Sequence, residues 1–184
     1  ALGRDLAGLI RGGPEADLNR TENTQPAMLV AGVAAYRLYE SRGGAAPAAM
    51  AGHSLGEYSA LVAAGSLGFA DAVALVADRA RFMQEAVPAV QGKMAALLGL
   101  DDATVAELCQ AQEGESGRIV RPVNFNAPGQ VVVAGDAAAV DAVLTAASDA
   151  GAKRAVELPV SIPSHCPLMQ PAADRLAERL NEIA

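Results

Sequence analysis

Apolar positions recur at helical spacing along much of this chain, and short runs of β-forming residues interrupt them. A brief helical pattern at the start ends in the turn-rich Arg11-Gly12-Gly13-Pro14. A second pattern runs through Met28, Val33 and Leu38 to Gly43-Gly44. It predicts a helix with Thr24 as N-cap and Pro26 inside the first turn. Ala48-Ala49-Met50-Ala51 reads as a short buried strand. After Ser54 the period turns helical from Leu55 to Ala64 and stops at Gly65. A further helix is expected from about Asp71 to Val87, ahead of Pro88.

The pattern then changes. Met94 to Leu98 predicts a strand, Asp101-Asp102 a cap for a helix to about Gln112, and Ile119 to Asn126 a second strand. Ala127-Pro128-Gly129 is a turn, with Gln130 to Ala134 as the hairpin partner. Asp136 would cap a helix to Ala150, closed by Gly151. Ala155 to Leu158 is a last strand, and a helix is expected from Pro167 to the end. The order βαββαβ is the ferredoxin-like pattern. It reads as a subdomain, residues 93–160, inserted between residues 1–92 and 161–184 of a larger domain.

Composition narrows the function classes. Hydrophobic residues make up 52% of 184, enough for a buried core. Aromatics are 3% and Trp is absent, so that core must be built from Ala, Val, Leu and Met. A net charge of −7 with no long basic run argues against nucleic-acid binding. No apolar run has the length of a membrane span, and no signal peptide is expected. Cys109 and Cys166 form no framework and suit small buried hydrophobes in a reducing cytosol, so a cytoplasmic location is expected. With two histidines and two cysteines spread apart, neither metal nor cofactor is expected.

Both ends bear on completeness. The chain opens inside a helical pattern without an initiating Met and stops in Leu180-Asn181-Glu182-Ile183-Ala184, with no Gly cap. Barely two strands fall outside the insert. A strand–turn–helix elbow needs a parallel sheet covered on both faces. The expectation is the middle of a longer chain.

The chemistry-bearing stretch is Ala51-Gly52-His53-Ser54-Leu55-Gly56-Glu57-Tyr58. Gly52 to Gly56 fits G-x-S-x-G, a sharp turn that lifts a serine hydroxyl into the open. Glycines on either side would let strand and helix pack closely. The Leu55 N–H, at a helix N-terminus, would face a developing oxyanion. The alternative is a Gly/Ser helix cap without chemistry.

A serine nucleophile needs a base within hydrogen-bond reach. His53 is poorly placed, because neighbouring residues at a tight turn project in different directions. His165, in Ser161-Ile162-Pro163-Ser164-His165-Cys166-Pro167, lies in a loop stiffened by two prolines. Two readings stand for it: a positioned base, or a loop histidine capping the next helix. No carboxylate is evidently placed to orient it.

Arg79 stands out on its helix. Its neighbours three and four positions away are Leu75, Val76, Phe82 and Met83, all apolar. A guanidinium on a buried stripe needs a partner. That partner is either a carboxylate or carbonyl cluster elsewhere in the fold, or a bound substrate carboxylate gripped by two N–H groups.

Taken together, these segments resemble the malonyl-CoA:acyl carrier protein transacylases. Thr24-Gln25-Pro26-Ala27, the Gly52–Tyr58 elbow, Arg79 with Phe82-Met83-Gln84, Val123 to Gln130 and Pro163-Ser164-His165 follow the family's order over nearly the whole chain. The resemblance implies an α/β fold: an incomplete α/β-hydrolase-like acyltransferase large domain with the ferredoxin-like subdomain inserted. It implies that Ser54 is acylated by malonyl-CoA and that the phosphopantetheine thiol of acyl carrier protein then takes the malonyl group. His165 would serve as base and then acid, the Leu55 N–H as oxyanion donor, and Arg79 as the carboxylate-binding group. His53, Asn126 and Ser164 would line the site. Ile162-Pro163-Ser164-His165 has the form seen in stand-alone malonyl enzymes, which favours malonyl over methylmalonyl.

The resemblance also shows departures. The family's glutamine loop, GQGSQ, and its histidine-orienting segment do not occur in these residues. Half the oxyanion hole is therefore missing, and the segment alone is expected to be inactive. Acyl carrier protein is acidic, as is this chain, so docking would need a local basic patch. Arg118, Arg121, Lys153 and Arg154 are the candidates. A serine hydrolase or thioesterase with the same elbow, or a non-catalytic module, are the competing functions.

Overall fold

The computed structural model describes residues 2–88, 91–160 and 162–183. The chain divides into two units, one holding residues up to Arg81 and from Leu176 on, the other Phe82–Arg175.

The first unit is helical. It contains α1 (Leu6–Gly12), α2 (Glu15–Leu18), α3 (Thr21–Ser41), α4 (Gly56–Ala63) and most of α5 (Phe69–Ala86). Leu29 and Val33 of α3 pack on Ala72, Val73 and Val76 of α5, with Leu55, Tyr58 and Val62 against them. The side chains of Leu29 and Val76 are fully buried, each worth about 1.5–3 kcal/mol of apolar transfer.

α3 begins a turn earlier than the sequence predicts. Its N-cap is Arg20, and no side chain caps it. Thr24 lies inside the helix, where its hydroxyl donates back to the Leu18 carbonyl, with the Arg20 carbonyl the longer alternative acceptor at 3.1 Å. Pro26 is therefore internal, and it has no N–H for the Glu22 carbonyl four residues before it. Arg4 fills that position: its Nη2 donates to the Glu22 oxygen at 2.6 Å and its Nη1 to Asn23 Oδ1 at 2.7 Å. An arginine 18 positions away in sequence thus lets an early proline sit within the helix.

The strand expected at residues 48–51 does not form. Those residues carry no ladder, and Ala48, Ala49 and Ala51 are exposed. A strand is defined by a neighbour that completes its hydrogen bonds, and no described residue pairs with this segment.

The second unit has the element order read from the pattern. β1 (Gly92–Leu98), α6 (Asp102–Ser116), β2 (Val120–Ala127), β3 (Gln130–Asp136), α7 (Ala137–Asp149) and β4 (Arg154–Glu157) follow in turn. The sheet order is β2-β3-β1-β4, antiparallel throughout. A 3-10 turn (Pro167–Met169) then leads into α8 (Gln170–Leu180), whose residues up to Arg175 belong to the second unit and from Leu176 to the first.

Both faces of β3 are buried, so its alternate residues enter two cores. Val131 and Val133 join Leu97, Val105, Cys109, Val140 and Val143 beneath the helices. Val132 and Ala134 join Met94 and Cys166 on the other face.

The caps differ in what they do. Asp101 caps α6 as expected, accepting the Thr104 N–H at 2.8 Å. That helix runs four residues past the predicted end, to a left-handed Gly117. Asp136 occupies the N-cap position of α7 but makes no side-chain cap bond. Its carboxylate instead accepts the Ile119 N–H at 2.7 Å and ties the start of β2 to the end of β3.

Two glycines give opposite predictions. A Cβ at Gly135, on the central strand β3, would lie 2.0 Å from the Ile119 carbonyl oxygen. Gly114, inside α6, has open space. Urea unfolding should show Gly135→Ala losing about 1–3 kcal/mol, as overpacking against backbone does. Gly114→Ala should gain about 0.5–1 kcal/mol from helix propensity.

Candidate active site

The elbow is built by a short ladder of turn bonds. The N–H groups of Gly56, Glu57 and Tyr58 donate to the carbonyls of His53, Ser54 and Leu55 at 2.9, 3.2 and 3.1 Å. To make this turn Ser54 takes a left-handed conformation, φ 53°. An L-residue there carries about 1–2 kcal/mol of strain. Gly52 is sterically required, because a Cβ would sit 1.9 Å from the Gly56 carbonyl carbon. Gly56 is not, since a Cβ there meets nothing within 4 Å. Close packing therefore needs one of the two motif glycines rather than both.

Leu55 is the N-cap residue of α4, with helical φ and ψ. Its own N–H has no acceptor among the described residues, which leaves it available at the positive end of the helix. His53 is exposed, while Ser54 and Leu55 are half-buried.

Arg79 reaches this turn from α5. Its Nη2 donates to Ser54 Oγ at 3.3 Å, and its Nη1 donates to Gln25 Oε1 on α3. Its guanidinium carbon also stands 5.7 Å from the centre of the Tyr58 ring. Burial pushes the Arg79 pKa down, opposed by Tyr58. Burial likewise pushes the Tyr58 hydroxyl up, opposed by Arg79. Among the described residues no carboxylate pairs with Arg79. The fold meets the need for a partner with an amide, a hydroxyl and an aromatic face, all neutral. This is a cation with retained capacity for an anion.

Gln25 and Tyr58 entered the sequence reading only as members of motif segments, without a role at the site. Gln25 is 6% exposed and lies four positions before buried Leu29, itself four before Val33. A polar residue in a buried helical stripe was the available signal. Tyr58 lies on the same face of its helix as Val62, where an aromatic reads as ordinary core.

The other expected site residues belong to the second unit. His165 is the only non-glycine residue besides Ser54 with a positive φ among those described, at 68°. Its side chain is exposed, between buried Pro163 and Cys166. The loop is pinned on both sides of it. Pro163 sits where a Cβ on Gly92 would be, 2.4 Å from its ring. The Ser164 N–H donates to Met94 Sδ at 3.3 Å, and Cys166 Sγ to the Pro163 carbonyl at 3.1 Å. The N-cap of the turn that follows is Cys166, without a side-chain bond, rather than His165. Asn126 is exposed at a register irregularity of β2, between Phe125 and Ala127.

Neither thiol is a nucleophile candidate: burial pushes the Cys109 thiol to about 12 and also raises Cys166. Among the described residues no group of three or more His, Cys, Asp or Glu could hold a metal. No helix there is long and apolar enough to cross a membrane.

A G-x-S-x-G serine in a strained turn at a helix N-terminus thus stands beside an arginine whose printed partners are neutral. The profile of the acyl transferase domain matches residues 2–184, and the chain belongs to this family. It is 60% identical over 183 residues to the malonyl CoA-acyl carrier protein transacylase of Escherichia coli K12, covering 100% of this chain and 59% of that protein. The malonyl CoA-acyl carrier protein transacylase structure from Coxiella burnetii superposes with a TM-score of 0.96 at 50% identity, covering 100% of this chain and 57% of that one. A malonyl-transacylase solved in complex with a type II polyketide synthase acyl-carrier protein gives 0.95 at 53% identity, covering 99% and 58%. The chain thus spans a little under three fifths of the curated relative it matches.

The strain at Ser54 is measurable. Ser54→Gly should be more stable than Ser54→Ala by about 1–2 kcal/mol in thermal unfolding, because only glycine enters the left-handed region freely. Equal stability would mean the elbow relaxes when the hydroxyl is lost.

Proposed function

We propose that the whole protein transfers a malonyl group from malonyl-CoA to the phosphopantetheine thiol of acyl carrier protein, by way of a malonyl-serine at Ser54. The observation that carries this reading is Arg79, a half-buried guanidinium with only neutral partners, hydrogen-bonded to the nucleophile itself. A malonyl ester on Ser54 would place a free carboxylate beside that cation.

The proposed sequence has two halves. Ser54 Oγ attacks the thioester carbonyl while His165 takes its proton, and the Leu55 N–H stabilises the oxyanion. The tetrahedral intermediate collapses, the C–S bond breaks, and His165 returns the proton to the departing CoA thiol. The carrier-protein thiol then gives its proton to His165 and attacks the malonyl-serine ester, and Ser54 leaves with the proton restored. His53, Asn126 and Ser164 are proposed to line the site. Ile162-Pro163-Ser164-His165 supports malonyl over methylmalonyl. The partner in the polyketide complex supports acyl carrier protein as acceptor here, with Arg118, Lys153 and Arg154, all exposed, as docking contacts; Arg121, the fourth candidate, is paired with Glu113 at 2.8 Å.

This reading makes the first unit part of an α/β-hydrolase-like acyltransferase large domain, and the βαββαβ segment at residues 93–160 a ferredoxin-like subdomain within it. A cytoplasmic setting completes the proposal, with both cysteines as free thiols.

Arg79→Ala separates a transacylase from a serine hydrolase. In the whole protein, malonyl transfer should fall by about 100-fold or more, the scale of a lost charged hydrogen-bond pair, while acetyl transfer is kept or gained. A hydrolase would be indifferent to the acyl carboxylate and would lose neither.

A further inference from the structure

The partner of Arg79 on α3 is chemically specific. An arginine has five N–H donors and accepts nothing, so of an amide's two ends only the oxygen can bond to it. Gln25 presents its Oε1 to Arg79 and its Nε2 to Thr21 Oγ1, 2.8 Å away and one turn earlier on the same helix. The donor-only arginine takes the oxygen end of the amide, and the Thr21 hydroxyl accepts from the nitrogen end. Gln25 is 6% exposed, so water does not replace these bonds cheaply.

An amide orients a guanidinium without neutralising it. A carboxylate at the same place would bond more strongly and would also cancel the charge in a half-buried setting. It would hold Arg79 as a closed ion pair and compete with any acidic ligand. The Tyr58 ring adds to the same design, because its face attracts the cation while supplying no countercharge.

We propose that Gln25 is a specificity-determining positioning residue, a neutral anchor that aims Arg79 at the acyl group on Ser54 while leaving its charge unpaired for the malonyl carboxylate. Thr21 is the outer support that accepts the amide's N–H. The inference rests on the proposed carboxylate role of Arg79, and it concerns selection of the acyl group rather than bond making.

The test compares kcat/KM for malonyl-CoA and acetyl-CoA in the whole protein carrying Gln25→Glu, with Arg79→Ala as reference. Gln25→Glu should lower the malonyl-to-acetyl ratio by about 10- to 100-fold, through a higher KM for malonyl-CoA, because the introduced carboxylate occupies the arginine. A ratio within twofold of the parent, or equal losses for both acyl groups, would overturn the inference while leaving the Arg79 reading standing. If Arg79→Ala itself leaves the ratio unchanged, the functional reading fails and this inference falls with it. Should Gln25→Glu not fold, Gln25→Met keeps the length without an acceptor. It should lower the ratio about tenfold by the loss of one charged hydrogen bond, and an unchanged ratio would again overturn the proposal.

Discussion

The contact of Arg79 with Gln25 and Ser54 is the constraint around which the first unit is arranged. A guanidinium on a buried stripe needs hydrogen bonds, and here they come from two other segments of the chain. α3 must therefore present Gln25 to α5, and the turn before α4 must present Ser54. The apolar contacts of Leu29 and Val33 with Ala72, Val73 and Val76 hold these helices in place. They do so one or two turns along from the polar group, so core packing and the site share the same elements. Arg4 then supports the start of α3, where Pro26 removes a backbone donor next to Gln25.

Backbone strain marks both residues for which acyl-transfer chemistry is proposed. Ser54 and His165 are the only non-glycine residues with positive φ among those described. Each is held by rigid surroundings rather than by its own preference. At Ser54 the clamp is the contact between Gly52 and the first turn of α4. At His165 it is a loop fixed through Pro163, Ser164 and Cys166, all within the second unit. Strain of this kind persists only where neighbours over-determine it, and it clusters at functional sites.

Periodicity located most of this fold. α1, α3, α4 and α5 and the six elements from β1 to β4 follow from spacing and from turn residues such as Gly65 and Gly129, whereas α2 and the extension of α6 to Gly117 do not. The misreadings have local physical causes. Thr24 looks like a cap, but its hydroxyl returns to an earlier carbonyl, so α3 starts before it. Asp136 looks like a cap, but a strand amide claims its carboxylate. Ala48–Ala51 has the composition of a strand without a neighbour to make it one. For the site, the burial of Arg79 was legible from its apolar neighbours on α5. Its partner was not, because Gln25 is 54 residues away and neutral, whereas charge reasoning looks for an acid.

The central claim is that Ser54 carries a malonyl group held by Arg79. The most direct measurement is intact mass followed by peptide mapping, after brief exposure of the whole protein to malonyl-CoA without carrier protein. A single malonyl adduct on the peptide containing Ser54, absent in Ser54→Ala, is the predicted result. An adduct elsewhere, or malonyl-CoA turnover that survives Ser54→Ala, would contradict the account.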